Sequence, residues 1–414
     1  MENKKIVRVF IKVISYVLVA ALASVVTLVL YTSVSNFLPT VYPNGTGEAT
    51  DEVEATTGKL RQLLNLIDQC FIGQADMQVL GDAAANAIVE ATGDQWSTYI
   101  SADELAAHVE DQNNAYVGIG ITILSGTSEE GFLIQQVDPN GSAKAAGILP
   151  GDILVGAEGQ SFAGVTTDFA ASIIRGEEGT QVTVDVRRDD QVLSFTMTRM
   201  TIHTQVATGK MLEGNIGYIQ IANFNRGSAD QTIAVIEQLR RQGAESLIFD
   251  VRFNPGGYKY ELVNLLDYLL PSGDLFRSLD YAGQERVDRS DERCLPIPMC
   301  VLVNNHSYSA AEFFAAALSE YNWATVIGEP TVGKSYYQVT LELADGSAVA
   351  LSTGKYFTPK GVSLAEEGGL QPDVIIDLDD ETESLIYAQM VDPADDPHIQ
   401  KAIEVVTEDL NRQN

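Results

Sequence analysis

The residues able to do chemistry gather between Val301 and Gln338, in the stretch VLVNNHSYSAAEFFAAALSEYNWATVIGEPTVGKSYYQ. Ser307 and Ser309 stand in a polar turn, between an apolar run and a run of helix formers, and Lys334 follows on a later glycine-rich turn. A serine hydroxyl is a poor nucleophile at neutral pH and needs an adjacent base. A lysine at its ordinary pKa of about 10.4 is protonated and cannot be that base. Burial disfavours the ammonium and lowers this value, so a catalytic lysine must be enclosed. The helix after the serine adds unpaired N–H groups and the positive end of its dipole, which suit an oxyanion. The pattern predicts a serine nucleophile with a lysine base.

The elements that must hold these groups read as alternating strands and helices. Val301-Leu302-Val303 is a short apolar strand, AAEFFAAAL has helical spacing of apolar residues, and Ala324 to Ile327 is a second strand. The alternation begins near Thr201, with a strand over 216–221, a helix over 229–242 and an apolar strand over 246–251. Layered α/β folds carry catalytic groups at such strand ends. The last of these strands runs into Asp250-Val251-Arg252-Phe253-Asn254-Pro255-Gly256-Gly257. A Pro-Gly-Gly turn either aims backbone N–H groups into a site or merely ends a strand.

Composition narrows the setting. The net charge of −31 excludes a nucleic-acid binder, because binding phosphates requires a basic face. Cys70, Cys294 and Cys300 make no zinc-like or disulfide-rich pattern, and Cys294 and Cys300 are either two separate thiols or a pair across a loop. Lys4, Lys5, Arg8 and Lys12 precede an apolar run over 13–38, and no Lys or Arg follows until Lys59. This predicts a transmembrane anchor with a cytoplasmic N-terminus over 1–12. The alternative is a signal peptide cleaved near Ala21-Leu22-Ala23, and both place the rest of the chain outside the cytoplasm. Residues 39–58 read as a flexible linker and 59–112 as a helical domain. That helical domain carries no catalytic signal and is expected to pack or dimerise.

Residues 113–200 combine strand patterning with glycine-rich turns. Gly118-Ile119-Gly120-Ile121, Ser142-Ala143-Lys144-Ala145-Ala146-Gly147 and Pro150-Gly151-Asp152-Ile153-Leu154 occur in that order, and here the chain resembles a PDZ domain. The resemblance implies capture of a peptide C-terminus by strand addition, its carboxylate held by loop N–H groups of Gly118, Ile119, Gly120 and Ile121. Arg175 either helps hold that carboxylate or is a solvated arginine.

Further motifs complete the pattern: D-V-R-F-N-P-G-G, V-L-V-N-N-H-S-Y-S-A-A-E, G-E-P-T-V-G-K-S-Y-Y-Q, Y-F-T-P-K-G and Gln371-Pro372-Asp373. With the PDZ-like segment in front, they resemble the C-terminal processing peptidases, tail-specific serine proteases of family S41. The resemblance runs from about Lys59 to Leu378. It implies a multidomain α/β protein whose protease core, over 201–378, is related to crotonase and ClpP-like folds. Outside the resemblance, residues 379–414 read as an acidic helical tail. The resemblance also assigns roles: Ser309 as nucleophile, Lys334 as general base and Gln338 as the residue orienting its amine. The oxyanion donors are then the backbone N–H of Ala310 and of Gly256 or Gly257. Ser307 is out of register with Glu312. Where the family reads S-A-S-A-S-E this chain has Tyr308 and Ala311, and neither position is the nucleophile.

Other chemistries fit less well. A histidine triad would draw on His108, His203, His306 or His398. His306 reads as a turn residue or substrate contact, and the other three as surface residues. No G-x-S-x-G elbow and no H-E-x-x-H cluster is present, so neither a metal nor another cofactor is expected. Glu320 is expected either to tune the site or to face solvent. The sequence therefore predicts an anchored extracytoplasmic serine endopeptidase acting on protein or peptide C-termini. The PDZ segment would gate it about a hinge near Asn113 and Thr201, and the chain would form a homodimer. The alternatives are a catalytically silent membrane scaffold that binds protein tails, and an acyl-CoA enzyme on a crotonase-like core.

Overall fold

The computed structural model describes residues 50–124 and 130–413. The apolar run over 13–38 lies outside them, and among the described residues no helix is long and apolar enough to cross a membrane. The chain divides into two compact units, 1–81 and 82–414.

In the first unit the expected linker ends early. A helix spans Asp51–Cys70, capped by the Thr50 hydroxyl, which accepts the Val53 N–H at 3.3 Å. Asp51, Glu52 and Glu54 occupy its first turn, where carboxylates suit the N-terminal dipole. No residue of this helix is buried, and Leu63 and Leu66 are exposed.

The second unit is built on a six-stranded sheet with strand order 207–212, 216–221, 246–250, 299–303, 324–328 and 374–375. All neighbours are parallel except the first pair. Ser246–Asp250 and Met299–Val303 are buried along their whole length, which is why they read as continuous apolar runs rather than alternating ones. One face packs against the helices Ser228–Arg241, Lys259–Leu269 and Ala310–Glu320. The other face is covered by the C-terminal helix Pro397–Gln413, whose Ile399, Ala402 and Val406 pack on Ile216, Ile248, Cys300, Leu302 and Ile327. The segment expected as an acidic tail thus supplies one face of the core.

That helix is also locked electrostatically. Arg252 donates to Asp250 Oδ2 at 2.6 Å and to Asp396 Oδ2 at 2.9 Å, all three groups being buried. Asp396 Oδ1 accepts the N–H groups of His398 and Ile399 at the helix start. His398, expected at the surface, is fully buried, with Nδ1 3.3 Å from Arg252 and Nε2 2.9 Å from the Ile376 carbonyl. Burial pushes its pKa down, and the Arg252 charge adds to this.

A second sheet contains Tyr336–Glu342, Ala348–Phe357, Gly273–Asp280 and Glu285–Ser290. Its remaining strand, Thr98–Ile100, comes from the domain read as helical, just after the break at Gly93-Asp94, and pairs antiparallel with 348–350.

Between Asn114 and Thr204 the chain leaves this two-sheet core and returns. Ala115–Gly118 and Met200–His203 form an antiparallel ribbon, so the exit and return strands lie side by side. Asn114, at φ 46°, exchanges two 3.0 Å side-chain hydrogen bonds with Asn223. Beyond the ribbon is a sheet of order 121–123, 132–137, 153–157, 181–188 and 191–198, with its own apolar core. Ile121–Ile123 is the end strand of that order and has one strand neighbour among the described residues.

Candidate active site

Ser309 sits between the strand Met299–Val303 and the helix Ala310–Glu320, at φ 57° and ψ −125°. A non-glycine residue held there costs about 1–3 kcal/mol and persists only where its surroundings over-determine it. They do. Ser309 is nearly buried, its N–H donates to Glu312 Oε2 at 2.8 Å, and the neighbouring Tyr308 N–H donates to the Asn254 carbonyl at 3.1 Å. Ser307 is fully buried and committed: its hydroxyl donates to the Val251 carbonyl at 2.8 Å and accepts the Asn304 N–H at 3.0 Å.

Glu312 is the strut of the site, and the motif reading used it only as a register mark. Its fully buried carboxylate accepts N–H groups from Ser309 (2.8 Å), Gly333 (2.6 Å) and Lys334 (2.9 Å), and the Thr331 hydroxyl. One side chain therefore ties the backbone of the candidate nucleophile to that of the candidate base. Burial raises its pKa, against the pull of those four donors. A glutamate three residues into a helix, reaching back to the cap residue, is the signal that finds it.

Lys334 is half-buried. Burial pushes its pKa below the ordinary lysine value, opposed by the charges of Asp94 and Glu312. Its Nζ has no hydrogen-bond partner among the described residues. It stands 4.8 Å from the centroid of the Trp96 ring and 5.8 Å from that of Tyr308. Gln338 does not reach it here; its Nε2 donates to Ser352 Oγ at 2.9 Å and, at 3.3 Å, to the Tyr336 carbonyl.

Against Ser309 lies the turn at 254–257. A Cβ added to Gly256 would stand 2.7 Å from Ser309 Cβ and 2.8 Å from the Ala310 nitrogen, so only glycine permits this approach. Gly256 (φ 89°) donates its N–H to Asn254 Oδ1 at 2.8 Å, inside the turn. That bond occupies the Gly256 donor. The N–H groups of Ala310 and Gly257 have no acceptor among the described residues.

Beside this pair opens a cleft of about 490 Å³ lined by Phe253, Pro255, His306, Tyr308, Glu383 and Tyr387. His306 stacks on Phe253 at 5.6 Å, with Nε2 3.8 Å from Glu383. Glu320 lies away from it, holding the Thr358–Lys360 turn through the Thr358 hydroxyl and the Lys360 N–H. In the inserted domain, Ile119 is buried, and the Ile119 and Gly120 carbonyls accept the N–H groups of Ala143 and Asp138. Gly118 and Ile121 border the same turn on strands. Arg175 pairs with Glu110 at 3.3 Å and stacks over Tyr116, so its guanidinium faces the helix Ala102–Gln112. The three cysteines are free, and no metal-binding cluster occurs among the described residues.

Comparison with known proteins defines the class. Residues 215–376 match the model of peptidase family S41, and residues 108–187 match that of the PDZ domain. The carboxy-terminal processing protease CtpA of Bacillus subtilis (strain 168) is 30% identical over 361 residues, covering 85% of this chain and 77% of that protein. A probable CtpA-like serine protease of Staphylococcus aureus (strain N315) is 27% identical over 328 residues, 78% of this chain and 65% of that protein. Among solved structures, a photosystem II D1 C-terminal processing protease aligns with 25% identity and a TM-score of 0.44, covering 77% of this chain and 86% of that one. The chain belongs to peptidase family S41 and carries a PDZ domain.

Proposed function

We propose that this protein is a serine endopeptidase that takes protein substrates by their C-termini and cleaves them through an acyl-enzyme. The observation that carries the reading is the Glu312 carboxylate. It fixes a strained, nearly buried serine at a helix start and the turn of a desolvated lysine together. In the reaction the neutral Lys334 amine takes the Ser309 hydroxyl proton as Oγ attacks the scissile carbonyl carbon. The N–H groups of Ala310 and Gly257 receive the resulting oxyanion. Collapse breaks the C–N bond, and the Lys334 ammonium returns the proton to the departing amine. Water, deprotonated by the same lysine, then releases the acyl group and restores Ser309. Gln338 would orient the amine once it leaves the aromatic rings.

Substrate capture is assigned to the PDZ domain, where the edge of Ile121–Ile123 that is unpaired among the described residues suits strand addition. The paired ribbon at 115–118 and 200–203 supports a hinge through which tail binding gates the protease. Anchoring by residues 13–38, with the protease outside the cytoplasm, and dimerisation complete the proposal. Gating requires that tail peptide, or deletion of the PDZ domain, change the basal rate. Equal rates in all three cases would count against it.

The Lys334 amine rests over the Trp96 ring with no hydrogen-bond partner among the described residues, and this favours one competing reading, a silent tail-binding scaffold. Cleavage of an unfolded protein with an apolar C-terminus separates the two. Turnover should vanish in both Ser309→Ala and Lys334→Ala while tail-peptide binding survives. A wild-type chain that binds such tails and never cuts them would establish the scaffold instead.

A further inference from the structure

The segment ahead of the PDZ domain reaches into the catalytic neighbourhood through one turn, Asp94-Gln95-Trp96-Ser97. Gly93, at φ 74°, lies just past the end of the helix Met77–Glu90. Asp94 then organises the turn: Oδ1 accepts the Trp96 N–H at 3.2 Å and Oδ2 accepts the Ser97 hydroxyl at 2.6 Å. The strand Thr98–Ile100 fastens it to the second sheet, and Tyr99 donates its hydroxyl to Asp82 at 2.6 Å. Ser97 Oγ accepts the Ser352 N–H at 3.0 Å, and Ser352 Oγ accepts Gln338 Nε2 at 2.9 Å. The turn and Gln338 therefore share one anchoring residue.

This fastening holds the Trp96 ring 6.1 Å from Tyr308 at an interplanar angle of 28°, with the Lys334 amine over both rings. We infer that Trp96 is a positioning residue of the protease site: its ring is the platform on which the protonated Lys334 amine is parked between turnovers. The inference rests on the reading of Lys334 as general base. A π face attracts an ammonium and gives nothing comparable to a neutral amine, and tryptophan is the strongest such platform. The other groups facing the amine act in the same direction or are neutral. Asp94 on the turn and Glu312 on the helix Ala310–Glu320 carry negative charge, and the Tyr308 phenol, its pKa raised by burial, stays un-ionised. Desolvation opposes all of them. The ring thus favours the protonated amine, against the burial that sets the net downward shift, and the parked amine makes no hydrogen bond to Ser309, so leaving the ring is a step the enzyme must take before it can act as base.

Two measurements test this. Trp96→Leu keeps an apolar wall and deletes the π face. The acidic limb of its kcat/KM–pH profile should move to lower pH by roughly half to one unit. Trp96→Phe should give a smaller shift of the same sign. A Trp96→Leu profile superimposed on wild type, or one moved to higher pH, overturns the inference. The second measurement does not depend on catalysis. Trp96 and Trp323 are the two tryptophans of the chain, so in Trp323→Phe the emission comes from Trp96 alone. That emission should titrate with a midpoint below the ordinary lysine value, and the titration should disappear when Lys334→Met is added. An emission that does not titrate, or titrates identically without Lys334, overturns the platform. If Lys334→Ala cleaves as fast as wild type, the base reading fails, while the optical titration still reports whether the amine rests on the ring.

Discussion

Replacing Glu312 with glutamine changes one atom and breaks the strut. In the wild-type chain two carboxylate oxygens serve four donors, three backbone N–H groups and the Thr331 hydroxyl. An amide offers one oxygen and one NH2 group. With its oxygen towards Ser309 and Lys334, the NH2 faces Thr331, whose hydroxyl can turn to accept, and the Gly333 N–H, which cannot. One part-buried N–H is then orphaned, at about 1–3 kcal/mol, and the remaining bonds lose their charge assistance, worth up to about 1 kcal/mol each. Removing a buried charge returns part of this, since burial already raises the Glu312 pKa. The net expectation for Glu312→Gln is a loss of about 2–4 kcal/mol in unfolding free energy. The turn bearing Lys334 loosens, so kcat should fall at least about tenfold, while the affinity of the PDZ domain for tail peptide is unchanged. Urea unfolding, steady-state cleavage and peptide titration measure the three quantities. A Glu312→Gln chain with wild-type stability and kcat would refute the reasoning, because the strut would then carry neither fold nor site.

Three further outcomes are expected. Gly256→Ala places a methyl 2.7 Å from Ser309 Cβ at a backbone angle that favours glycine, and should lower kcat by about 100-fold or more with the fold intact by circular dichroism. Asp396→Ala leaves Arg252 half-paired in a buried setting and should cost about 3–5 kcal/mol, read from thermal or urea melts. Stability should also fall on acidification in two stages. His398 has a depressed folded-state pKa, so its contribution is complete above its unfolded value of about 6.5 and is lost as pH drops through the lower folded value. Asp250 is held down by the Arg252 charge and hydrogen bonds, which outweigh its burial, so its contribution is lost only below about 3.9. His398→Gln melts that retain the upper stage would argue against the histidine assignment.

The strand–turn–helix unit around Ser309 is legible in the sequence because its determinants are local. An apolar run, a polar turn and a helical period succeed one another within some twenty residues, and the glycine motifs of the PDZ domain are local too. What escapes the sequence is what joins distant segments. Nothing near Trp96 signals a lysine more than two hundred positions away, and Thr98–Ile100 is a strand only because Ala348–Ala350 lies beside it. Asp396 and His398 sit in an acidic stretch that reads as solvated. Their burial follows from Arg252, a partner remote in sequence that the fold brings into contact with both. Glu312 is the intermediate case: its reach back to Ser309 is a local helix-start pattern, whereas its hold on Gly333 and Lys334 is tertiary.

The helix that seals the lower face of the central sheet is the last described element of the polypeptide. A product truncated before Pro397 would leave Ile216, Ile248, Leu302 and Ile327 facing water and Arg252 without its second carboxylate. Such fragments should behave as unfolded material for disposal, not as loose hydrolases lacking their tails. The fold of the central sheet is thereby tied to the presence of this one amphipathic helix.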